Sequence, residues 1–338
     1  MHSGIHERDG GVARYYRSDA ATNAAVSTEI TGYAASTFAY LHCRTGKQEY
    51  LDAALRAARY LTHQAWDSAA ATFPFEPGSD RAYFFDIGII VRGLLSVWRA
   101  TGEEEFRARA QEAALSLAFD FLGEGAFHPV ISLPAKQPLP EEPRWSRKPG
   151  CYQLKSALAW REIGDPQAVQ AFDAALEFAL ASHERFLEEE SDREKLMDRL
   201  HAYCYFLEAL LFAVEREDAG RALASGIDRT ARRLREIEPV FERSDVNAQL
   251  LRIRLIAHHL GAVPLDETAA REEASRTASF QAVDAVDPRI RGGFWFGRKG
   301  PQMLPFSNPV STAFGLQALA LWQDHQAGRW SFELPQLI

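Results

Sequence analysis

Several features that mark particular protein classes are scarce or missing in this 338-residue sequence. Its three cysteines, Cys43, Cys151 and Cys204, have no paired spacing, which excludes a disulfide framework or a thiol-rich zinc site and fits a reducing compartment. The most apolar stretch, residues 200–214, is interrupted by a histidine and a glutamate and is too short to span a bilayer. The first residues lack the apolar core of a signal peptide. We therefore expect a cytoplasmic protein with no membrane contact.

Sequence motifs for nucleotide, metal and serine-hydrolase chemistry are also missing. The chain has no HExxH, no phosphate-binding GxxxxGKS/T, no GxGxxG after a strand and no GxSxG. His258 and His259 are adjacent, so on a helix they would point in different directions and make a poor metal pair. A net charge of -8 argues against nucleic acid as the main partner. We expect no metal and no cofactor, and leave the oligomeric state open.

What the sequence does contain is a helical repeat. Residues 45–61 match residues 101–117 in their Thr-Gly start and in their aromatic, Ala and Leu positions. A glycine just past a helix end readily adopts the left-handed conformation that stops a helix. Six glycines between helical runs are candidates for such stops, and they predict six helices of one kind: Gly46, Gly102, Gly164, Gly220, Gly261 and Gly328.

The helices before and after these glycines differ in polarity. Residues 87–98 and 201–214, which come before a glycine, are apolar on nearly all sides, whereas residues 47–63 show one apolar stripe and one charged face. Buried helices alternating with half-exposed ones indicate two concentric layers of hairpins. The units are longer than tetratricopeptide or HEAT repeats, which argues against a flat solenoid.

We therefore predict an all-α fold, an (α/α)6 toroid that forms a single domain over residues 1–338. Only ten residues follow Gly328, which predicts six inner and five outer helices, unless the N-terminal loop segment 1–24 helps to close the ring. Residues 125–150 hold six prolines and should form a semi-rigid loop over the cavity mouth. That loop ends in Arg144, Arg147 and Lys148, which could offer cations to an acidic substrate.

Polar side chains recur where the inner helices are predicted to begin. In a toroid these starts all face one end of the central cavity, so residues distant in sequence would converge there. N-capping is the alternative role for Asp86, Asp245 and Asn308, since Asp and Asn are preferred caps. The predicted starts are residues 28–33, 85–88, 151–155, 201–205, 245–249 and 308–312.

Helical spacing groups some of these residues on common faces. Tyr33 lies one turn after Glu29, and Tyr205 lies one turn after His201. A lone histidine in an apolar helix is more often a core residue, but a tyrosine one turn away at the helix mouth favours a binding role. We expect Glu208, further along the same face, to pair with a buried arginine, either Arg252 or Arg254, because an unpaired buried carboxylate is costly.

The loops that lead to the inner helices are rich in aromatic residues. Flat rings beside polar groups suit sugar recognition, although the same rings could simply pack over the end of the toroid. The predicted substrate-binding residues combine these aromatics with polar groups of the helix starts: Tyr33, Tyr83, Trp145, Tyr152, Lys155, Asp245, Gln249, Trp295 and Asn308.

With this architecture the chain resembles the six-hairpin superfamily of carbohydrate-active enzymes. That group includes unsaturated glucuronyl hydrolases, (α/α)6 polysaccharide lyases and N-acylglucosamine 2-epimerase-like proteins. Residues 85–88, Phe-Asp-Ile-Gly, are similar to the Asp-x-Gly segment that carries a catalytic carboxylate in unsaturated glucuronyl hydrolases, and Glu29 stands where that family has its other acid, an aspartate. Residues 207–211 are similar to the Leu-Glu-Ala-Leu stretch of the 2-epimerases, but Tyr205 stands where that family has a histidine. The aspartate-rich signatures of terpene cyclases and prenyltransferases, which share a related toroid, are absent.

Three functional hypotheses remain open at this point. The first is an enzyme that acts on an acidic sugar or oligosaccharide, with Glu29 and Asp86 as an acid/base pair. The second is a uronate lyase or epimerase in which His201, Tyr205 or Tyr33 abstracts a proton, while Lys155, Arg147 or Asn308 neutralises the substrate carboxylate. The third is a toroid that binds a glycan or a partner without catalysis.

Overall fold

The structure, a computed structural model, describes residues 4–188, 190–238 and 240–338. Within these ranges the chain forms eleven α-helices, joined by loops that contain a few short strands. The helices are α1 Thr28–Thr45, α2 Gln48–Tyr60, α3 Phe84–Thr101, α4 Glu104–Phe119, α5 Leu154–Ile163, α6 Pro166–Glu188, α7 Arg193–Leu210, α8 Glu217–Ile237, α9 Ser244–His259, α10 Glu267–Ser279 and α11 Pro309–Gln326.

The odd-numbered helices form an inner ring and the even-numbered helices an outer layer. Each inner helix contacts the next one, and α11 contacts α1, which closes the ring. In α9 every residue from Ser244 to Ala257 is buried, whereas α8 buries only the stripe that includes Leu223, Ile227 and Leu234. The predicted (α/α)6 toroid with six inner and five outer helices is confirmed within the described residues.

Buried apolar side chains join the two layers of helices. They form one cluster that extends from Val12 to Ile338. That residues 1–338 form a single domain stays a prediction. Among the described residues, none of the helices combines the length and the apolar character needed to cross a membrane.

No outer helix follows α11 in the described chain. The C-terminal residues instead turn inward, and Leu337 and Ile338 are buried. Three cationic side chains from three different inner helices donate to their backbone oxygens: Arg92 to Leu337, and Lys155 and Arg252 to Ile338. These two residues therefore lie between the inner helices and fill one end of the ring.

The predicted helix stops are correct with one exception. Five of the glycines adopt positive φ just after inner helices: Gly46, Gly102, Gly164, Gly261 and Gly328. Gly220 is the exception and was wrongly predicted, because it lies inside α8. The helix α7 passes instead into a 3-10 turn, Leu211–Ala213, without a glycine.

The predicted start of the fourth inner helix at His201 is also wrong. Helix α7 begins at Arg193, and the carboxylate of Asp192 caps it by accepting from the backbone N–H groups of Glu194 and Lys195. His201 thus lies about two turns inside the helix. Charged residues outnumber apolar ones in these early turns, so the short buried stripe of Leu196, Met197 and Leu200 was overlooked.

The short strands cluster at the N-terminal ends of inner helices. Strand β3 (Arg81–Tyr83) runs directly into α3, and β5 (Phe241–Arg243) runs directly into α9. The remaining strands are β1 Tyr16–Arg17, β2 Thr22–Asn23, β4 Val130–Ser132, β6 Gly297–Lys299, β7 Gln302–Met303 and β8 Phe306–Ser307. The strands pair antiparallel, in the orders β2-β1-β8, β3-β4 and β5-β6-β7. The sheets therefore build the rim around one end of the ring.

Candidate active site

A cavity of about 620 Å³ lies at the end of the ring where the inner helices begin. This volume is in the usual range for small-molecule sites. Four side chains from three inner helices form what we call the floor: Glu29 from α1, Asp86 from α3, and His201 and Tyr205 from α7. The four residues predicted as catalytic are therefore brought together in one hollow, and their catalytic role stays a prediction.

Glu29 and Asp86 lie in the first turns of neighbouring inner helices and have no capping role in the structure. The hydroxyl of Ser27 caps α1 by accepting from the N–H of Ile30, and α3 has no side-chain cap. The alternative capping role for Asp86 is thus wrong. Its Oδ2 atom is buried without a hydrogen-bond partner in the described structure. Both carboxyl groups face the cavity instead of supporting the backbone.

Burial controls the ionisation of this carboxyl pair. Burial raises the pKa of Glu29 to about 7, against a partly opposing effect of the positive charge of Arg14. Burial and the nearby charge of Glu29 together hold the pKa of Asp86 well above its ordinary value. Glu29 is therefore close to its midpoint of ionisation near neutral pH, and its ionisation favours the protonated form of Asp86.

His201 is oriented by residues of the neighbouring helix α9. Its Nδ1 lies 2.8 Å from Oε1 of Gln249 and 3.8 Å from Oδ2 of Asp245. Burial and the charge of Arg243 lower the pKa of His201 to about 4, so the ring is neutral near pH 7. With Nδ1 donating to the Gln249 carbonyl oxygen, Nε2 retains its lone pair and can act as a base.

Asp245 lies beside His201 and pairs with Arg243. Burial would raise its pKa, but the guanidinium of Arg243 outweighs burial and lowers the pKa of Asp245 below its ordinary value. The two side chains form a double hydrogen bond of 2.9 and 2.7 Å. Asp245 was predicted either to cap α9 or to bind substrate. Helix α9 has no side-chain cap, and Asp245 is not part of the cavity lining.

Aromatic residues form one wall of the cavity. Phe75, Tyr83, Phe85 and Trp145 line it, and the rings of Phe75 and Tyr83 lie 5.0 Å apart. Antiparallel pairing of β3 with β4 ties the start of α3 to the proline-rich segment, of which residues 143–146 reach the cavity. Such a wall offers flat apolar surface beside polar groups, as sugar rings require.

Charged residues of α7 and β5 also line the cavity, and most of them were not among the predicted site residues. Lys195, Asp198 and Arg199 come from the first two turns of α7, and Arg243 from β5 reaches Asp198 at 2.7 Å. The available signal was Asp192, a good N-cap residue directly before a run of charged helix formers.

Several residues predicted to bind substrate do not line the cavity. Tyr152 lies behind the aromatic wall, 5.0 Å from the ring of Trp145, and its hydroxyl donates to the backbone oxygen of Lys148. Tyr33 is buried near the floor, where burial and the charges of Tyr205 and Glu29 raise its pKa far above the ordinary value. Gln249 acts through His201, as described above, and Trp295 is half-buried outside the lining.

Two further predicted residues have structural contacts elsewhere. The side chain of Asn308 caps α11 by accepting from the N–H of Ser311, and it borders a second cavity of about 320 Å³ between α1 and α11. Of the cations predicted at the proline-rich loop, Arg147 is buried and paired with Glu142, whereas Arg144 faces the main cavity.

Lys155 belongs to a separate buried cluster, which we call the paired layer: Lys155, Glu208, Arg252 and Gln317. Its ammonium lies 2.9 Å from Glu208, so it does not reach the cavity as predicted. The expected partner of Glu208 is confirmed as Arg252, while Arg254 pairs with Glu273.

An aromatic ring separates the floor from the paired layer. The ring of Phe314 lies 5.6 Å from that of Tyr33 and 6.4 Å from that of Tyr205, and on its other side the guanidinium of Arg252 is 4.0 Å away. Among the described residues no group of three or more His, Cys, Asp or Glu side chains is arranged to hold a metal ion. The floor itself presents two carboxyl groups, an imidazole and a phenol.

Comparison with known proteins identifies the fold. No protein-family model matches the chain, and neither does any curated protein. Among solved structures, the cellobiose 2-epimerase from Spirochaeta thermophila is similar over 96% of this chain and 93% of its own, with a TM-score of 0.73 and 15% identity. A D-mannose isomerase is similar with a TM-score of 0.69 and 10% identity, over 96% of this chain and 93% of its own. An unsaturated glucuronyl hydrolase specific for heparin is similar with a TM-score of 0.65 and 12% identity, over 96% of this chain and 94% of its own. At such low identity the likeness shows that the (α/α)6 toroid is shared with these sugar enzymes.

Proposed function

We propose that the chain is a carbohydrate-active enzyme that cleaves a glycosidic bond of an acidic sugar or oligosaccharide in the main cavity. One observation carries this proposal: the carboxyl groups of Glu29, which is half-buried, and Asp86, which is buried, face the same cavity from neighbouring helices, and the charge of Glu29 adds to burial in raising the pKa of Asp86. Glycoside hydrolysis needs one protonated and one ionised carboxyl group on either side of the scissile bond.

The raised pKa values support different roles for the two groups. Asp86, whose protonated form is favoured by burial and by the charge of Glu29, donates its proton to the glycosidic oxygen as the bond from that oxygen to the anomeric carbon breaks. Glu29, once ionised, accepts a proton from the water whose oxygen forms the new bond to the anomeric carbon. The proton gained by Glu29 and the proton lost by Asp86 then balance through exchange with water.

The surroundings of the pair support a sugar as the substrate. Phe75, Tyr83 and Trp145 provide a stacking wall, and the charged residues of α7 and β5 provide hydrogen-bond donors and charges. The fold is also that of known sugar enzymes, including the glucuronyl hydrolase that acts on heparin. The cavity volume suits a small saccharide more than a polymer threaded through the ring.

A second candidate is proton abstraction from a sugar carbon by His201, as a lyase or epimerase requires. The observation that favours it is the neutral imidazole, whose Nδ1 is held by Gln249 and whose ring lies 4.6 Å from that of Tyr205. Several of the similar structures are sugar epimerases or isomerases. In this mechanism Nε2 takes the proton and Asp86 has no essential part.

Three substitutions separate these candidates: Glu29→Gln, Asp86→Asn and His201→Gln. Turnover and binding are measured on a panel of uronate-containing and neutral disaccharides, with Glu190→Gln as a control at the edge of the same cavity. We expect the Glu29 and Asp86 variants to lose turnover by about a hundredfold or more and to retain binding. General acid–base catalysis contributes a factor of about a hundred or more to the rate. Loss in the His201 variant alone would favour proton abstraction. If the wild type binds a sugar but turns over none of the panel, the hypothesis of a toroid that binds glycans without catalysis is favoured.

A further inference from the structure

The main cavity carries charges of opposite sign at its floor and at its rim. The floor holds the acids Glu29 and Asp86, whereas three cations border the rim. Lys195 and Arg199 lie one turn apart on the exposed early part of α7, and Arg144 comes from the proline-rich segment. Two unrelated parts of the chain therefore bring positive charge to the same opening.

The acids of the rim are already engaged with other groups. Asp198 receives a hydrogen bond of 2.7 Å from Arg243, and Glu190 accepts from the backbone N–H of Asp192 at 2.9 Å. Neither Arg144 nor Lys195 has an ion-pair partner in the described part of the chain, and both side chains are exposed. Their charges are thus available to a ligand that enters the cavity.

An anionic substrate group would be far more stable at the rim than at the floor. Beside the floor acids it would meet the charge of Glu29 whenever that carboxyl ionises, and it would raise the pKa values of both acids further, which opposes the ionisation of Glu29 near neutral pH. At the rim it would meet an arginine fork and an ammonium group, which form the stronger, charge-assisted hydrogen bonds with oxyanions.

We propose that the substrate carries a carboxylate or sulfate group on the sugar unit at the rim, bound between Arg144 and Lys195, and not on the unit that contacts the floor. The position of Arg144 next to Trp145 in the chain supports this arrangement, because both line the cavity and one sugar unit can contact both. The inference rests on the proposed function, since it assumes that a sugar occupies the cavity. It adds which unit bears the charge and which residues select it.

Calorimetric titration of the full chain tests the rim inference. The probes are a neutral disaccharide, the same disaccharide with a uronate as its second unit, and a sulfated neutral disaccharide. Variants Arg144→Ala and Lys195→Ala are compared with the matched controls Lys148→Ala and Arg193→Ala, exposed cations of the same loop and the same helix turn that do not line the cavity. Thermal unfolding verifies that every variant is folded.

We expect the wild type to bind at least one anionic probe about tenfold or more tightly than the neutral one, because one charge-assisted contact is worth about that factor. Each rim variant should lose about tenfold for that probe only, and the controls should bind as the wild type does. The better of the two anionic probes identifies the group as carboxylate or sulfate. Equal behaviour of charged and neutral probes, including no binding of either, overturns the inference, as does full anion affinity in the Arg144→Ala/Lys195→Ala double variant.

The same experiments distinguish failure of the inference from failure of the proposed function. Turnover of neutral and anionic sugars at equal rates would reject the rim inference and leave glycoside cleavage intact. Anion binding that depends on Arg144 and Lys195, combined with unchanged turnover in Glu29→Gln, would reject the cleavage mechanism and leave the rim inference intact.

Discussion

The two ends of the ring treat buried charge in opposite ways. In the paired layer, Glu208 accepts from both Lys155 and Arg252, so each charge has a partner. At the floor, the carboxyl groups of Glu29 and Asp86 are close enough to influence each other and have no hydrogen-bond donor among the described residues. The same inner helices supply both sets, since α7 carries His201 at the floor and Glu208 in the paired layer. Removal of one member of the paired layer would leave a buried charge uncompensated, whereas the floor acids have no such partners and are shifted towards their protonated forms.

Removal of one partner from the paired layer should have the largest effect on stability. Glu208→Gln leaves Arg252 buried without a compensating charge and removes the carboxylate that opposes the burial-lowered pKa of Lys155, and we expect a loss of about 3–5 kcal/mol in the free energy of unfolding. Denaturant titration measures this value. Asp86→Asn is the matched change at the floor, where an unpaired acid becomes a neutral amide, and it should leave the stability unchanged or increase it. A loss below about 1 kcal/mol in Glu208→Gln would contradict this contrast between the two ends.

The two ends should also respond to pH in opposite directions. The pKa of Glu208 is lowered by Arg252 and Lys155 despite its burial, so its stabilising effect is present above the ordinary glutamate pKa and is lost as the solution becomes more acidic. The pKa of Glu29 is raised to about 7. The stability that its protonated carboxyl contributes is therefore fully present below pH 4.5 and is lost as the pH rises to 7.

Unfolding measured between pH 4.5 and pH 8 checks the second of these effects. The wild type should lose about 3 kcal/mol relative to Glu29→Gln over this interval, since each unit of pKa shift corresponds to about 1.4 kcal/mol. An identical pH profile for the two proteins would show that Glu29 is not desolvated in the folded state.

Part of this contrast was predictable from the sequence. The alternation of fully apolar and amphipathic helices predicted the ring, and the positions of Glu29 and Asp86 near helix starts placed them at its mouth. The early turns of α7 were missed because most of their residues are charged and at least partly exposed, and only the short stripe of Leu196, Met197 and Leu200 is buried.

The level of a residue along the ring axis was harder to predict. Lys155 stands near the start of α5, but a 3-10 turn, Cys151–Gln153, precedes that short helix, so Lys155 already lies at the depth of Glu208. The path of a connecting loop decides this depth, and loop paths have no periodic signature in the sequence.

The smallest effect is expected at Asn308, which was predicted to bind substrate. Asn308→Ala removes the side-chain cap of α11 and should cost about 1 kcal/mol of stability. Thermal unfolding measures the cost, and the affinity for sugars should not change, because Asn308 does not line the main cavity. Weaker sugar binding with unchanged stability would show that the polar groups of α11 belong to the site after all.

The central claim is that Glu29 and Asp86 form an unpaired, interacting carboxyl pair, and carboxyl-carbon NMR titration tests it most directly. The account predicts that Glu29 titrates near pH 7, that Asp86 keeps its proton well above its ordinary pKa, and that Glu29→Gln lowers the pKa of Asp86 by removing the neighbouring charge. Titration of both carboxyl groups near their ordinary values of about 4, with no response of Asp86 to the substitution, would contradict it.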